Sequence, residues 1–381
     1  MFWSHFCLYP APLRILRLNG KRPVNLCVPC CSVMIIFTQT EAPIVENAVP
    51  RLEKAIKEQF LSADLDEVIR LREESKKQDF KPTIIWGLVV FFAFLHFGAL
   101  IGAYHLIFNA KWQTVVWTFI SAILSGIGIT AGAHRLWAHR SYKAKWPARV
   151  ILMVLNCMAF QTDVIEWSYD HRCHHKWTDT DADPHNINRG FFFSHIGWLL
   201  VSKHPKFIEK GKQLDMSDLL NDPILAFQRR HYHPLVALFC FLLPTWVCVW
   251  GWGENALVGL YTAAIFRFCW TLHTTWFINS AAHTFGYRPY DVNISPVQSV
   301  WASVAALGEG GHNYHHTFPQ DYRTSEWEFT LNFTKMVIDG FAALGWAYDL
   351  KVVPDDVINC QKNKQIEILK SRATTASFGL T

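Results

Sequence analysis

The residues of this sequence best placed to do chemistry are its histidines. Two stretches share the order His-x-x-His-His: His171-Arg172-Cys173-His174-His175, and His312-Asn313-Tyr314-His315-His316 within the run that begins at Gly308. On a helix the first, fourth and fifth positions of such a group fall in a sector of about 100°, so three imidazoles leave the backbone on one side. A third stretch, His134-Arg135-Leu136-Trp137-Ala138-His139, sets its pair five apart, about 140° around an ideal helix. The expectation there is a fraying helix end, with one of the two arriving from non-helical backbone. Asn279 and His283 are four apart on one face and form a further ligand pair.

Nine histidines result: His134, His139, His171, His174, His175, His283, His312, His315 and His316. One metal ion cannot take nine side chains, but two can share them at four or five each, leaving the Asn279 amide to hold a water. Imidazole ligates Zn, Cu, Fe or Ni, so ligand type alone leaves the metal open. Without metal, so many buried imidazoles would leave many donors and acceptors to satisfy. Glu309, Asp170 and Asp181 are nearby carboxylates suited to orienting ligand imidazoles. A lone histidine is more simply a satisfied core or interface residue, the reading applied to His96, His105, His195, His204, His231, His233 and His273.

The elements that must position these side chains are membrane helices. Hydrophobic residues make up 51% of the chain and charged residues 18%, with 17 Trp and 28 Phe, a balance that argues against an ordinary soluble domain. Residues 84–108 hold no Asp, Glu, Lys or Arg and are long enough to span a bilayer; 114–133 is a second such stretch, and a short turn at Lys111 makes the two a hairpin. Residues 234–250 and 256–282 form a second hairpin, with Arg267 its one strong base. Lys76, Lys77 and Lys81 precede the first span, Arg135, Arg140, Lys143, Lys145 and Arg149 follow the second, and Arg229 and Arg230 precede the third. By the positive-inside rule both termini and residues 134–230 face the cytosol, as does every histidine cluster. Segments 150–165 and 329–347 contain polar residues and are placed as buried or interfacial helices of a cytosolic cap.

The fold class is therefore all-α: four transmembrane helices in two hairpins, under a cytosolic helical cap that holds a histidine-rich dimetal site. Residues 1–45 read as a disordered extension, 46–80 as a cytosolic polar or amphipathic arm that is simplest as a solvated linker, 81–350 as the membrane and cap domain, and 351–381 as a C-terminal cytosolic tail. A net charge of +5, spread beside apolar segments, reads as topology determinants and a headgroup-facing surface, and excludes a nucleic-acid footprint. The ten cysteines show no paired spacing in the apolar body, which argues for a reducing compartment. Cys27-x-x-Cys30-Cys31 has the spacing of a zinc half-site, but no second pair follows.

These boxes, with their order and their placement after the second and fourth spans, resemble the integral-membrane fatty acyl-CoA desaturases of the delta-9 (stearoyl-CoA) type. The similarity runs from about Phe80 to Asp349 and includes Gly132-Ala133-His134-Arg135-Leu136-Trp137, Asp183-Pro184-His185, Asn279-Ser280-Ala281-Ala282-His283 and Phe318-Pro319-Gln320-Asp321-Tyr322. It implies a mushroom-shaped protein of the endoplasmic reticulum membrane, with two Fe ions held by the nine histidines and Asn279 matching the position that holds a metal-bound water. It also implies O2 and a long-chain acyl-CoA as substrates, and cytochrome b5 with its NADH-dependent reductase as electron donor. Gln161, Trp167 and Thr275 match positions where the family's acyl tunnel bends, with Trp276 close by. Ala122 aligns where a bulky residue often closes the tunnel, so a longer acyl chain is expected to fit. At the carrier, Asp170, Lys203 and Arg267 match CoA-contacting positions, whereas Leu88, Tyr169 and Ser202 stand where relatives have Asn, Arg and Arg.

An unactivated methylene C–H bond is too strong for side-chain acid–base chemistry, which is why O2-activating metal is the chemistry such a site would need. No dinucleotide fingerprint or haem module is present in the sequence to supply electrons internally. The competing readings are a lipid hydroxylase, an acyl-lipid or sphingolipid desaturase, and a non-enzymatic membrane metal-binding protein.

Overall fold

In the computed structural model, residues 65–77, 80–327 and 331–378 are described. The N-terminal extension, the cysteine half-site and residues 46–64 of the arm lie outside the described residues. Four helices are long and apolar enough to cross a membrane: α2 (Trp86–Phe108), α3 (Trp112–Ala138), α7 (Tyr232–Trp252) and α8 (Ala256–His283). Between them lie α4 (Trp146–Ala159), α5 (Val164–Lys176) and the short α6 (Phe191–His195). The first described helix is α1 (Leu65–Ser75), and after the last span come α9 (Val300–Ala305), α10 (His312–Thr317), α11 (Phe333–Ala343) and α12 (Asp355–Phe378). The strands β1 (Lys143–Ala144) and β2 (Ala347–Tyr348) pair antiparallel, Lys143 with Tyr348.

Each span sorts its faces by size. On α2, Phe94 (73% exposed) and Leu100 (70%) point to the lipid, whereas Leu95, Gly98, Ala99 and Gly102 are buried. In lipid there is little hydrophobic gain from helix association, so close backbone contact supplies it. A Cβ on Gly102 would come within 2.1 Å of the Tyr261 carbonyl oxygen on α8. At the turns away from the histidines, Glu254 accepts from Lys111 N (2.8 Å), Thr114 Oγ1 (2.6 Å) and Asn255 N (3.0 Å), while Lys111 Nζ donates to the Trp252 and Gly253 carbonyls. One buried carboxylate thus joins the two hairpins, a role the sequence reading did not assign.

Two expectations about helices need correction. The segment 150–165 is not one helix: α4 ends at Ala159 and α5 leaves at 82°. Phe160 and Thr162 adopt positive φ (51° and 69°), and Asp163 then caps α5 by accepting from Ile165 N and Glu166 N. The second expectation is corrected in part: the span does not fray at His134, while His139 lies just past its end at Ala138, on non-helical backbone as expected. Residues Gly128–Ala138 widen into π-helical turns, which continue the span to the cap.

The arm is also more than a linker where it is described. Leu71 on α1 packs in a small core with Cys173, Trp177, Ala182 and Phe207, and Glu67 pairs with Lys210. At the other terminus α12 buries Val357 and Ile358 against Tyr290, Tyr314 and Phe318, so residues following 351 brace the cap.

Candidate metal centre and adjoining cavities

The nine histidines meet in two groups. His134, His139, His171, His175 and His315 form one and His174, His283, His312 and His316 the other, each with its potential ligand atoms within 4.8 Å of one another. The π-helical turns explain the first pair. A bond from His139 N to the His134 carbonyl (3.0 Å) spans five residues, so the pair that an α-helix would set about 140° apart becomes neighbours, with ring centroids at 4.8 Å. α5 carries its three imidazoles on one face, and α10 begins at His312 itself.

The backbone before α10 admits only glycine at key points. Gly308 has φ +112°, and a Cβ on Gly310 would come within 2.1 Å of the Ser299 carbonyl oxygen. Asn313 then pins the helix, accepting from Tyr290 N (2.9 Å) and donating to the Asp291 (2.8 Å) and Pro296 (3.0 Å) carbonyls.

Facing Nε2 atoms show what the centre can hold. In the first group they approach at 2.8 Å (His139–His171), 2.9 Å (His134–His315) and 3.0 Å (His175–His315). In the second they approach at 3.0 Å (His283–His312), 3.2 Å (His312–His316) and 3.3 Å (His174–His316). The outer nitrogens determine the tautomers. His134 Nδ1 lies 3.1 Å from Glu309 Oε2 and His174 Nδ1 lies 2.9 Å from Asp183 Oδ2. A carboxylate only accepts, so each Nδ1 carries the hydrogen and each Nε2 presents a bare lone pair inward. Burial, reinforced by the neighbouring imidazoles, holds His171, His175, His312, His315 and His316 well below the ordinary histidine value. Neutral imidazoles with converging lone pairs fit cations.

The carboxylates that orient the rings are partly other than expected. Glu309 does so, bridging His134 to the fully buried Arg135, whose Nη2 lies 2.8 Å from Oε1. Burial raises the Glu309 carboxyl, but Arg135 and His134 outweigh it and keep it ionised. Asp170 and Asp181 do not serve: Asp170 pairs with Lys203 at 2.6 Å, and Asp181 lies 3.7 Å from His204. Asp183 takes their place at His174, while His283 Nδ1 lies 2.8 Å from Ser295 Oγ, with the Asp179 carboxylate 3.7 Å away. His185 was also missed, with its ring 4.2 Å from that of His174. The run Asp183-Pro184-His185, eight residues beyond the second box, was the available signal.

Two cavities adjoin the centre, of about 380 and 760 Å³. Trp167, His171, Thr275 and Asn279 line both, so the chambers meet beside the histidines. Ala122 lies in the smaller, which is walled mostly by apolar side chains, and Gln161 and Trp276 in the larger. Gln161 Nε2 donates to Thr275 Oγ1 (2.9 Å), and Trp167 stacks on His171 at 4.9 Å. Asp170, Lys203, Arg229, Arg230 and Leu88 also line the larger chamber.

Arg267 must be removed from the carrier set. It is fully buried inside the bundle, donating to the carbonyls of Met158 (2.6 Å) and Cys240 (2.5 Å) and to Ser125 Oγ (3.2 Å), and it lines neither cavity. Tyr169 packs on Phe207, and Ser202 exchanges hydrogen bonds with the Thr83 backbone.

Fold and site together define a multi-pass membrane protein with a buried, histidine-built candidate metal centre beside an apolar cavity. Sequence comparison narrows this class. The fatty acid desaturase family model matches residues 110–329, and the chain belongs to that family. It is 59% identical over 317 residues to the Delta(9)-fatty-acid desaturase fat-6 of Caenorhabditis elegans, covering 83% of this chain and 94% of that one. It is 48% identical over 329 residues to the stearoyl-CoA desaturase of Sus scrofa (83% and 89%) and 50% identical over 283 residues to an acyl-CoA Delta12-desaturase of Acheta domesticus (74% and 79%).

Proposed function

We propose that this protein is an O2-dependent acyl-CoA delta-9 desaturase, which places a cis double bond in saturated C16 and C18 acyl chains. The observation that carries the reading is the meeting of both cavities beside the histidines. A chain threaded from one chamber to the other has one carbon pair held at the centre and no other. Overall, –CH2–CH2– and O2 with two electrons and two protons give –CH=CH– and two waters. A bound pair of iron ions supplies the O2 activation that this C–H chemistry requires. The nine histidines would hold them, and Asn279, lining both chambers, would hold a water beside them.

What the chain's own residues do follows from their places. Apolar walls exclude water from the reacting carbons. The Gln161–Thr275 hydrogen bond and Trp167 shape the passage where the chambers join. Lys203, Arg229 and Arg230, lining the larger chamber, offer cations to the phosphates of a CoA carrier, in place of the guanidiniums absent at Tyr169 and Ser202. Electrons come from outside, from cytochrome b5 and its NADH-dependent reductase, docking on the basic cytosolic face. The site belongs in the endoplasmic reticulum membrane with both termini cytosolic, since the bases flank the histidine-bearing ends of the spans.

Expression in a yeast lacking its own delta-9 desaturase tests this directly. Growth without added unsaturated fatty acid and a double bond located at carbon 9 are the expected outcome, with His312→Ala inactive but still membrane-inserted. A 50% identical relative is named a Delta12-desaturase, so the bond's position is the decisive readout. A double bond elsewhere, or a product that has gained a hydroxyl oxygen, would overturn the assignment.

A further inference from the structure

His96, His195 and His273, each isolated in the sequence, are linked in the fold. His96 on α2 approaches His273 on α8 at 3.0 Å between Nε2 atoms, the same kind of separation as in the nine-histidine centre. His273 Nδ1 lies 3.0 Å from His195 Nε2, and His195 Nδ1 lies 2.9 Å from Ser280 Oγ. The line ends on two carbonyls. His96 Nδ1 is 2.6 Å from the Phe92 oxygen, and Ser280 Oγ donates to the Trp276 oxygen at 3.0 Å.

Counting hydrogens along this line exposes a deficit. Five contacts join the two carbonyls, whereas three neutral imidazoles and one hydroxyl bring four hydrogens. Both carbonyls only accept, so hydrogens assigned inward from each end leave one contact without any. Working from the Trp276 end, Ser280, His195 and His273 each donate toward that carbonyl. From the other end His96 donates to Phe92. The contact left bare is His96 Nε2 against His273 Nε2, two lone pairs facing each other.

The two histidines of that contact have a soft donor beside them. Cys269 is buried, sits one turn before His273 on α8, and places Sγ within 4.8 Å of a ring nitrogen of each of the two histidines. A bound ion with N at about 2.0 Å and S at about 2.3 Å would draw the three donors to roughly 3.5 Å apart. The sulfur therefore needs to move inward by only about an ångström. Each ligand imidazole already has its other nitrogen on a partner, as metal-bound histidines do, His96 on a carbonyl and His273 on His195.

We propose that His96, His273 and Cys269 form a separate site for one copper(I) ion, with His195 orienting His273. His273 lies ten residues before His283, about 15 Å along the helix, so this site is distinct from the nine-histidine centre. Charge selects the ion. Cu+ with one thiolate and two neutral imidazoles is uncharged, whereas Zn2+ would leave a net positive charge within the span, where charge is costly. Soft thiolate ligation also favours Cu+. Binding releases the Cys269 thiol proton and leaves no redox step to balance. The ion would tie α2 to α8 beside Trp276, whose ring lies 5.1 Å from that of His273 and which lines the larger cavity.

The test uses the full-length protein in detergent, titrated with Cu+ against bicinchoninate and then assayed for copper, zinc and iron. One tightly held copper per chain is expected, with X-ray absorption showing a sulfur neighbour. Cys269→Ser and His273→Asn should each lower copper affinity at least tenfold while iron content stays unchanged, which also reports that the variants fold. No copper retained, zinc in its place, no sulfur neighbour, or affinity unchanged in both variants would overturn the proposal.

Discussion

At the scale of single residues, Glu309 carries the most weight outside the histidines. It holds His134 through one oxygen and Arg135 through the other, so it sets both a tautomer and the position of the helix that presents it. Glu309→Gln keeps the shape but can offer an N–H where an acceptor is needed. Metal affinity should fall about 10- to 100-fold, measured by metal analysis after dialysis against a graded chelator, with membrane insertion unchanged. Ala122 makes a different prediction. Its small side chain lines the smaller chamber, so Ala122→Tyr should shorten the usable space and shift the C18 to C16 product ratio toward C16. Equal ratios from the two proteins in the yeast assay would remove Ala122 as a length determinant.

Elements are joined at the centre by Arg172, which lies between two histidines on α5 but points away from them. It is fully buried, donating to the carbonyls of Trp137 (2.8 Å) and Ala138 (3.1 Å) at the end of α3, and it forms a paired contact with Asp218 at 2.8 and 3.0 Å. The clamp thereby sets the first histidine box against the second. Burial raises the Asp218 carboxyl, but Arg172 and Arg140 outweigh it and hold it below the usual aspartate value. A depressed carboxylate contributes stability that is present above its unfolded value and lost as pH falls through its folded value. Asp218→Asn should therefore cost about 2 kcal/mol, constant from pH 8 to pH 5. The gap from wild type should close only below about pH 4. Thermal unfolding in detergent across that range reads it, and a gap that closes near pH 6 would point to a different group.

For the whole molecule, both ends of the described chain act on the cap. α12 packs Val357 and Ile358 on Tyr314 and Phe318, the residues that back the third histidine box, and Gln361 Nε2 donates to the Tyr290 carbonyl at 2.6 Å. Ending the chain after Pro354 removes two fully buried aliphatic side chains, worth about 4 kcal/mol. The truncated protein should insert into membranes, because the spans precede it, yet show a lower unfolding temperature and reduced metal content. Retained metal at full stability would mean that α12 merely rests on the cap.

What the sequence by itself determined was whatever depends on local pattern. Span number follows from runs of apolar residues. The six histidines of the two His-x-x-His-His boxes followed from spacing, because i, i+3 and i+4 positions share a helix face whatever lies around them. Tertiary structure decided the rest. Only the π-helical turns bring His134 and His139 together, since helix winding responds to what packs on it. Asp183 and Ser295, and not Asp170 and Asp181, reach the rings of His174 and His283, because a loop's path sets which side chain arrives. Arg267 went the other way: a guanidinium that the resemblance placed at the carrier is held by three helices' worth of carbonyl and hydroxyl oxygens inside the bundle. A side chain's partners across the fold are not written in its own neighbours along the chain.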